Sequence, residues 1–438
     1  MWECMLEMKD KLLLYADDAV IVSENGDELQ SMFDCITEYG RDFNVRFSPE
    51  KSQVLVVNGT VEDVDRVWQL GGNVIGMTKE YMYLGVNVNQ KGCEKTKALS
   101  LSKANQWLGI LGSAARVRAS KYEVLREVWK SVAVPGIMYG MDVIAWNDGE
   151  LDKLEVVQNR IARLALGAPR WTAVEALRGD MGWSTFNERR MKAALRYKVR
   201  LERMNDERWA RKMYLWNMRV SKWNRKCHAL VRKCDLNEIW AYPVHNRQGD
   251  EWLMTVQGVS GIEWDVKEWK KEIEKRVRIC GLRIWKQGMG RKDSLKLYRM
   301  KEMPKYECIY DGSRGGDLMF CVRANALSVN ARTYRWNERR EDICFMCNSG
   351  ERETVEHLMM ECEAYESERL EMIGVILDER GEGDGVMYER TGDEWMAMIV
   401  GLSPGVTTAM TDSGKRFLEG AWRMRERRRL ERVEAGRM

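Results

Sequence analysis

Apolar positions in the first 60 residues come in short runs. Leu12-Leu13-Leu14-Tyr15 and Ala19-Val20-Ile21-Val22 are separated by Ala16-Asp17-Asp18, a pattern that predicts a β-hairpin with two acids at its tip. The period then changes. Leu29, Met32, Phe33 and Ile36 recur at three- and four-residue spacing, which predicts a helix from Asp27 to Tyr39 with Asp27 as N-cap. Val54-Leu55-Val56-Val57, closed by Asn58-Gly59, reads as a strand. Tyr81 to Val88 reads as another, in which Leu84-Gly85 marks a close backbone approach. From about Lys95 to Tyr214 the helical period dominates, most clearly over 122–132 and 151–166, with Pro135 and Gly167 as punctuation. Residues 215–330 are Trp-rich and mixed in pattern. Ser413 to Arg437 predicts a basic amphipathic helix. The expected fold class is α+β, mostly helical.

Composition narrows this picture. Of the 438 residues 45% are hydrophobic and 32% charged, enough for packed cores beneath a charged surface and for two to four domains. Six prolines and 28 methionines favour helix over an all-β chain. No stretch approaches the roughly 18 apolar residues of a membrane span. Acids and lysines precede the first apolar run, unlike a signal peptide. No membrane partner is therefore expected, and the chain is placed inside the cell, in the cytoplasm or nucleus. Its 11 cysteines are scattered over the whole length, so in a reducing compartment paired cysteines read first as metal ligands.

Adjacent carboxylates at the tip of an apolar hairpin are costly, because the flanking strands push the turn toward a dry environment where unpaired charge is disfavoured. A divalent cation offsets that cost, and Mg²⁺ prefers one or two carboxylates completed by phosphate and water. Two such ions serve phosphoryl transfer to a growing strand. Asp is also a favoured turn residue, and Tyr-x-Asp-Asp arises by chance in roughly one chain in twenty of this length. The tetrapeptide alone therefore also admits a plain polar turn.

A second cluster has sharper spacing. Cys344, Cys347, His357 and Cys362 form Cys-x2-Cys-x9-His-x4-Cys in a chain with only three histidines. Two ligands on a tight turn and two from a helix start supply the thiolate and imidazole set of structural Zn²⁺. Thr354 to Met360 is expected to form that helix. Four core residues are the plainer alternative, since free cysteine often behaves as a small hydrophobe. Between Arg189 and Lys233 there are 16 Lys and Arg against three acids, with Tyr197, Trp209, Tyr214, Trp216 and Trp223 interleaved. Such a segment suits phosphate neutralisation and base stacking. Arg189, Arg190, Arg196 and Arg200 recur at helical spacing and are expected to line one groove. Trp and Tyr at that spacing also suit a core.

The order of these pieces resembles the reverse transcriptases of non-LTR, LINE-type retrotransposons. Leu14-Tyr15-Ala16-Asp17-Asp18 with Val20-Ile21-Val22 is similar to the family's catalytic hairpin, and Phe43-Asn44-Val45-Arg46-Phe47-Ser48-Pro49-Glu50-Lys51-Ser52 to the next palm motif. Tyr83-Leu84-Gly85 resembles the motif that steadies the primer end, and Pro135–Gly140 and Leu154–Arg160 resemble the thumb and the region behind it. The Cys-Cys-His-Cys cluster, with Glu353-Thr354-Val355-Glu356-His357, is similar to the element near the family's C-terminus. The resemblance implies an RNA-directed DNA polymerase that uses an RNA template and a DNA primer. Asp17 and Asp18 would then hold Mg²⁺, and Lys51 would act near the incoming nucleotide as a proton donor to pyrophosphate.

It also implies a division into a partial palm (1–92), a helical thumb (93–215), a connector (216–335), a zinc element (336–375) and a C-terminal helical segment (376–438). The family's pattern includes a third carboxylate and a fingers region upstream of the hairpin, yet only 14 residues precede Tyr15. The chain is accordingly expected to be the C-terminal part of such an enzyme and inactive alone. The alternative is a non-catalytic RNA- or DNA-binding remnant with a structural zinc.

Overall fold

A computed structural model of the chain describes residues 11–436, apart from 60–62, 64, 91, 117–119, 239, 241, 249–250, 258–264, 335–340 and 384–388. The chain divides into two compact units. One comprises Met1–Ser100, Asp142–Ala145 and Tyr197–Arg225, the other Leu101–Met141, Trp146–Arg196 and Lys226–Met438.

In the first unit, β1 (Leu12–Tyr15) pairs antiparallel with β2 (Asp18–Ile21), with Tyr15 opposite Asp18. Helix α1 (Gly26–Asp42) starts one residue earlier than its periodicity suggests. Asn25, not Asp27, is the N-cap, because its extended backbone lets the side-chain oxygen accept from the Glu28 N–H at 2.8 Å. Asp27 instead lies in the first turn, where the helix dipole favours an acid, and pairs with Arg66 at 2.7 Å. The apolar face of α1 splits between two small cores. Phe33 packs with Val54, Trp68, Leu70 and Ile75, while Met32, Cys35 and Ile36 meet Leu12 and Ile21 from the hairpin.

Strand β3 (Gln53–Leu55) lies parallel to the central β5 (Asn73–Thr78), with β4 (Trp68–Leu70) antiparallel on the other side. The stretch from Tyr81 to Val88 is not the single strand its composition suggests. It is a hairpin of β6 (Glu80–Tyr83) and β7 (Val86–Asn89). Leu84 and Gly85 form its turn, with φ of +46° and +75°. Two left-handed residues in succession match the right-handed twist of paired strands, so the Leu-Gly pair reverses the chain.

Beyond residue 93 the described chain is mainly helical. In order the helices of eight residues or more are α2 (Glu94–Ala114), α3 (Lys121–Val128), α4 (Asp148–Ala165), α5 (Val174–Met181), α6 (Phe186–Glu202), α7 (Trp209–Trp216) and α8 (Lys222–Lys233). A hairpin of β8 (Tyr242–Gln248) and β9 (Glu251–Gln257) follows. Then come α9 (Val266–Gly290), α10 (Arg314–Arg323), α11 (Glu366–Arg380), α12 (Gly392–Ile399) and α13 (Thr408–Glu434). In the second unit a large core is drawn from α10 (Met319, Val322), α11 (Met372, Ile376), α12 (Trp395, Ile399) and α13 (Phe417, Trp422), with Cys344, Leu358 and Cys362 among them. Residues on both sides of 336 and of 375 thus share a single core.

A buried ionic knot adjoins this core through α10, where Arg323 follows Val322. Asp180, at the end of α5, is wholly inaccessible. One carboxylate oxygen accepts from Lys301 Nζ at 2.8 Å and lies 3.3 Å from Arg323, while the other accepts from the hydroxyls of Tyr298, at 2.7 Å, and Tyr310. Glu307 bridges the same two cations, and the Tyr122 hydroxyl donates to the Asp180 carbonyl at 2.7 Å. Two acids thus face two bases. Burial pushes the Asp180 carboxyl up, but Arg323 and then Lys301 outweigh it and hold it below its ordinary value. The contribution is therefore complete above about pH 4, the unfolded carboxyl's range, and is lost as pH falls through the lower folded value. Asp180→Asn keeps the volume but leaves Glu307 to balance both buried cations alone. It is expected to lower the unfolding free energy by about 3–5 kcal/mol, read as a shift of the urea midpoint at neutral pH. A midpoint within experimental error of the parent would show that the knot is not a stabilising element.

Candidate metal centre and polymerase hairpin

Cys344 and Cys347 sit on a tight turn. The chain reverses through Gly350, at φ +74°, so that Cys344 N–H bonds to Glu351 C=O at 2.8 Å and Ile343 bridges Arg352. The other two residues come from the segment expected to be an α-helix. There the chain forms instead a π turn, His357–Glu361, closed by Cys362 N–H on His357 C=O at 2.7 Å. The difference has a geometric reason. Five positions along an α-helix turn a side chain by about 140° around the axis, which would point Cys362 away from His357. The wider i to i+5 turn brings it back.

The four ligand atoms are buried and lie within 4.8 Å of one another. Cys344 Sγ is 3.9 Å from Cys362 Sγ, and Cys347 Sγ is 3.4 Å from His357 Nε2. A tetrahedron built on metal–sulfur and metal–nitrogen bonds of about 2.3 and 2.0 Å has S···S and S···N edges of about 3.8 and 3.5 Å. The donor set therefore fits a tetrahedral ion of zinc's size. With Nε2 turned toward the sulfurs, His357 Nδ1 is 3.1 Å from Glu351 Oε2, a carboxylate placed to fix the tautomer and the ring. Sequence reading missed Glu351, although an acid on the turn facing a ligand histidine is the signal to seek. Hydrogen bonding with Cys362 holds the Cys344 thiol below its ordinary range, while the same contact and burial push the Cys362 thiol up, so one sulfur of the pair gives up its proton ahead of the other.

Helix α13 locks this element. The Arg425 guanidinium makes two 2.7 Å bonds to the buried Glu353 carboxylate and lies 5.2 Å from the ring of Phe345, one of the two residues between the first two ligands.

At the hairpin tip the structure departs from expectation. Asp17 and Asp18 are exposed, as is Tyr15, rather than lying in a dry turn. Only Leu12 and Ile21 reach the α1 core, and Leu14 is 68% accessible, because β1 and β2 form a two-stranded ribbon with one face on α1. Among the described residues no third carboxylate gathers with Asp17 and Asp18. Lys51 is exposed in the turn before β3, and Tyr83 is half-buried beside the tip at Leu84-Gly85. The four arginines do not present one exposed row. Arg189 bonds to Gln158 at 2.7 Å, Arg190 is buried near Asp148, Arg196 pairs with Glu274, and Arg200 is exposed.

Residues 2–88 match the family described as reverse transcriptase (RNA-dependent DNA polymerase). A 204-residue stretch is 26% identical to the RNA-directed DNA polymerase from mobile element jockey of Drosophila funebris, covering 43% of this chain and 21% of that protein. The chain thus spans about a fifth of the relative's length. Both matches bear out the resemblance to reverse transcriptases of non-LTR retrotransposons.

The left-handed Leu84 carries a local strain that glycine would not, of roughly 1–2 kcal/mol. Leu84→Gly is expected to raise the melting temperature of the first unit by a few degrees, and Leu84→Val to lower it. Calorimetry showing the reverse order would mean that the Leu84 side chain contributes more than its backbone costs.

Proposed function

We propose that this chain carries part of the palm, the thumb and the C-terminal region of an RNA-directed DNA polymerase of a non-LTR retrotransposon. The observation that carries the reading is the Tyr15-Ala16-Asp17-Asp18 hairpin, with its acids at a two-residue turn inside the matched region. In the complete protein Asp17 and Asp18 would hold Mg²⁺, which would supply charge neutralisation for phosphoryl transfer from a nucleotide to the primer 3′-hydroxyl. Lys51 gives a proton to the leaving pyrophosphate, and Tyr83, Leu84 and Gly85 hold the primer end. Arg200, exposed at the end of α6, contacts nucleic acid, whereas Arg189, Arg190 and Arg196 shape the helices around it. RNA template and DNA primer are the partners.

By itself the 438-residue chain does not polymerise, since two exposed carboxylates leave both metal ions short of ligands. A second reading, a non-catalytic RNA- or DNA-binding protein, is favoured by the same exposed tip. Either way Cys344, Cys347, His357 and Cys362 hold a structural Zn²⁺ with no open position.

Primer extension on an RNA template with Mg²⁺ is expected to give no incorporation above an Asp17→Ala/Asp18→Ala control. Extension above that control would overturn the inactivity. Elemental analysis of purified chain should find one zinc per molecule, lost in Cys347→Ser. Glu351→Gln should weaken zinc binding roughly 10- to 100-fold, and affinity should fall on acidification as the sulfurs and His357 take up protons. A chain that is folded, metal-free and indifferent to chelator would rule out the zinc assignment.

A further inference from the structure

The aromatic residues between 197 and 223 divide into two sorts. Tyr214 is buried, with its hydroxyl 2.6 Å from Lys198 Nζ and 2.8 Å from Glu202. Trp223 donates its indole N–H to the Asp142 carbonyl at 2.7 Å and meets the Tyr197 ring edge-on at 5.9 Å. These two side chains build the unit. Trp209 and Trp216 do not. They are 38% and 77% exposed, with Met213, 40% exposed, between them.

The three stand at i, i+4 and i+7 of α7, so they form one outward stripe, and the two indoles are set about 10 Å apart along the axis. That interval is close to three stacked bases at about 3.4 Å each. Beside the stripe lies an open cleft of about 420 Å³, lined by Tyr197, Arg200, Met204, Arg208, Trp209 and Ala210. Its tyrosine ring is held in place by Trp223. Nearby cations are occupied, Arg211 with Asp206 and Lys212 with Glu207. Arg200 and Arg208 are exposed and have no carboxylate partner among the described residues.

We propose that the α7 stripe and this cleft form a binding site for unpaired nucleotides of a single strand, with bases stacked on Trp209 and Trp216 and phosphates held by Arg200 and Arg208. Stacking needs a free base face, which a duplex keeps within its own stack, so the site discriminates single strand from duplex. The proposal rests on the reading that the chain handles nucleic acid.

The test is fluorescence anisotropy of the full chain with a labelled single strand of about twelve nucleotides and a duplex of equal length, a span within the range of known single-strand sites. Trp209→Ala/Trp216→Ala should weaken single-strand binding by at least about tenfold and leave duplex affinity within about twofold. Arg200→Gln/Arg208→Gln should reduce the salt slope for the single strand by about 1.4, the value for two phosphates. Because all four side chains are exposed, circular dichroism and melting temperature should match the parent. Equal losses on both ligands would make the stripe a general phosphate surface, and unchanged affinities would place binding elsewhere. Either result overturns this site while the functional reading stands. A parent chain that binds neither ligand would remove the functional reading itself. Tryptophan-dependent binding to vesicles with anionic headgroups, without single-strand binding, would replace this site with a membrane surface.

Discussion

A fully buried carboxylate tolerates no partial solution, and the second unit is arranged around that demand. Asp180 is satisfied only if α5, the segment carrying Tyr298 and Lys301, Tyr310 and α10 arrive together. Its backbone carbonyl adds Tyr122 from α3. Removing two opposite charges from water costs several kcal/mol per ion, which is offset only when nearly every lone pair is used. Such a knot therefore specifies an arrangement more than it adds stability. Residues 58 to 143 positions from Asp180 in the sequence are brought into one register by it.

The cysteine and histidine element follows the same logic at smaller scale. Its four donors are few, but each is oriented by something else: Glu351 for the His357 ring, the π turn for Cys362, and Arg425 with Glu353 for the strand and turn beneath. A π turn is an unusual conformation that persists where surroundings require it. Here the required feature is the convergence of His357 and Cys362. The cysteine and histidine element is accordingly part of a large core that continues into α11, α12 and α13.

How much of this was legible in the sequence varies with the reach of the cause. Local patterns located β1, β2, α1, α4 and α13 to within a few residues, because their apolar period is set by one face. The donor set of the metal centre was legible for the same reason, since four ligands at fixed spacing carry their own geometry. The Tyr81–Val88 stretch was misread because Leu is not a usual left-handed residue, and only pairing of β6 with β7 requires it there. Helix α9 went unread although Asp265 and Glu268 make a capping box. Its buried positions, Trp269, Ile273, Val277, Cys280 and Trp285, are diluted by lysines and arginines. Nothing local distinguishes Arg190, which is buried, from Arg200, which is exposed, because that depends on what packs across the helix. The dry hairpin tip was expected from apolar flanks alone, and a strand pair shows one face to solvent unless a further layer covers it.

The clamp on the metal element also carries a direction in time. Cys362 precedes Arg425 by some sixty positions in the chain, so during synthesis all four ligands leave the ribosome well before the helix that locks them. An ion held by the four donors at that stage would still be exchangeable, and the closing of α13 over Phe345 would then retain it.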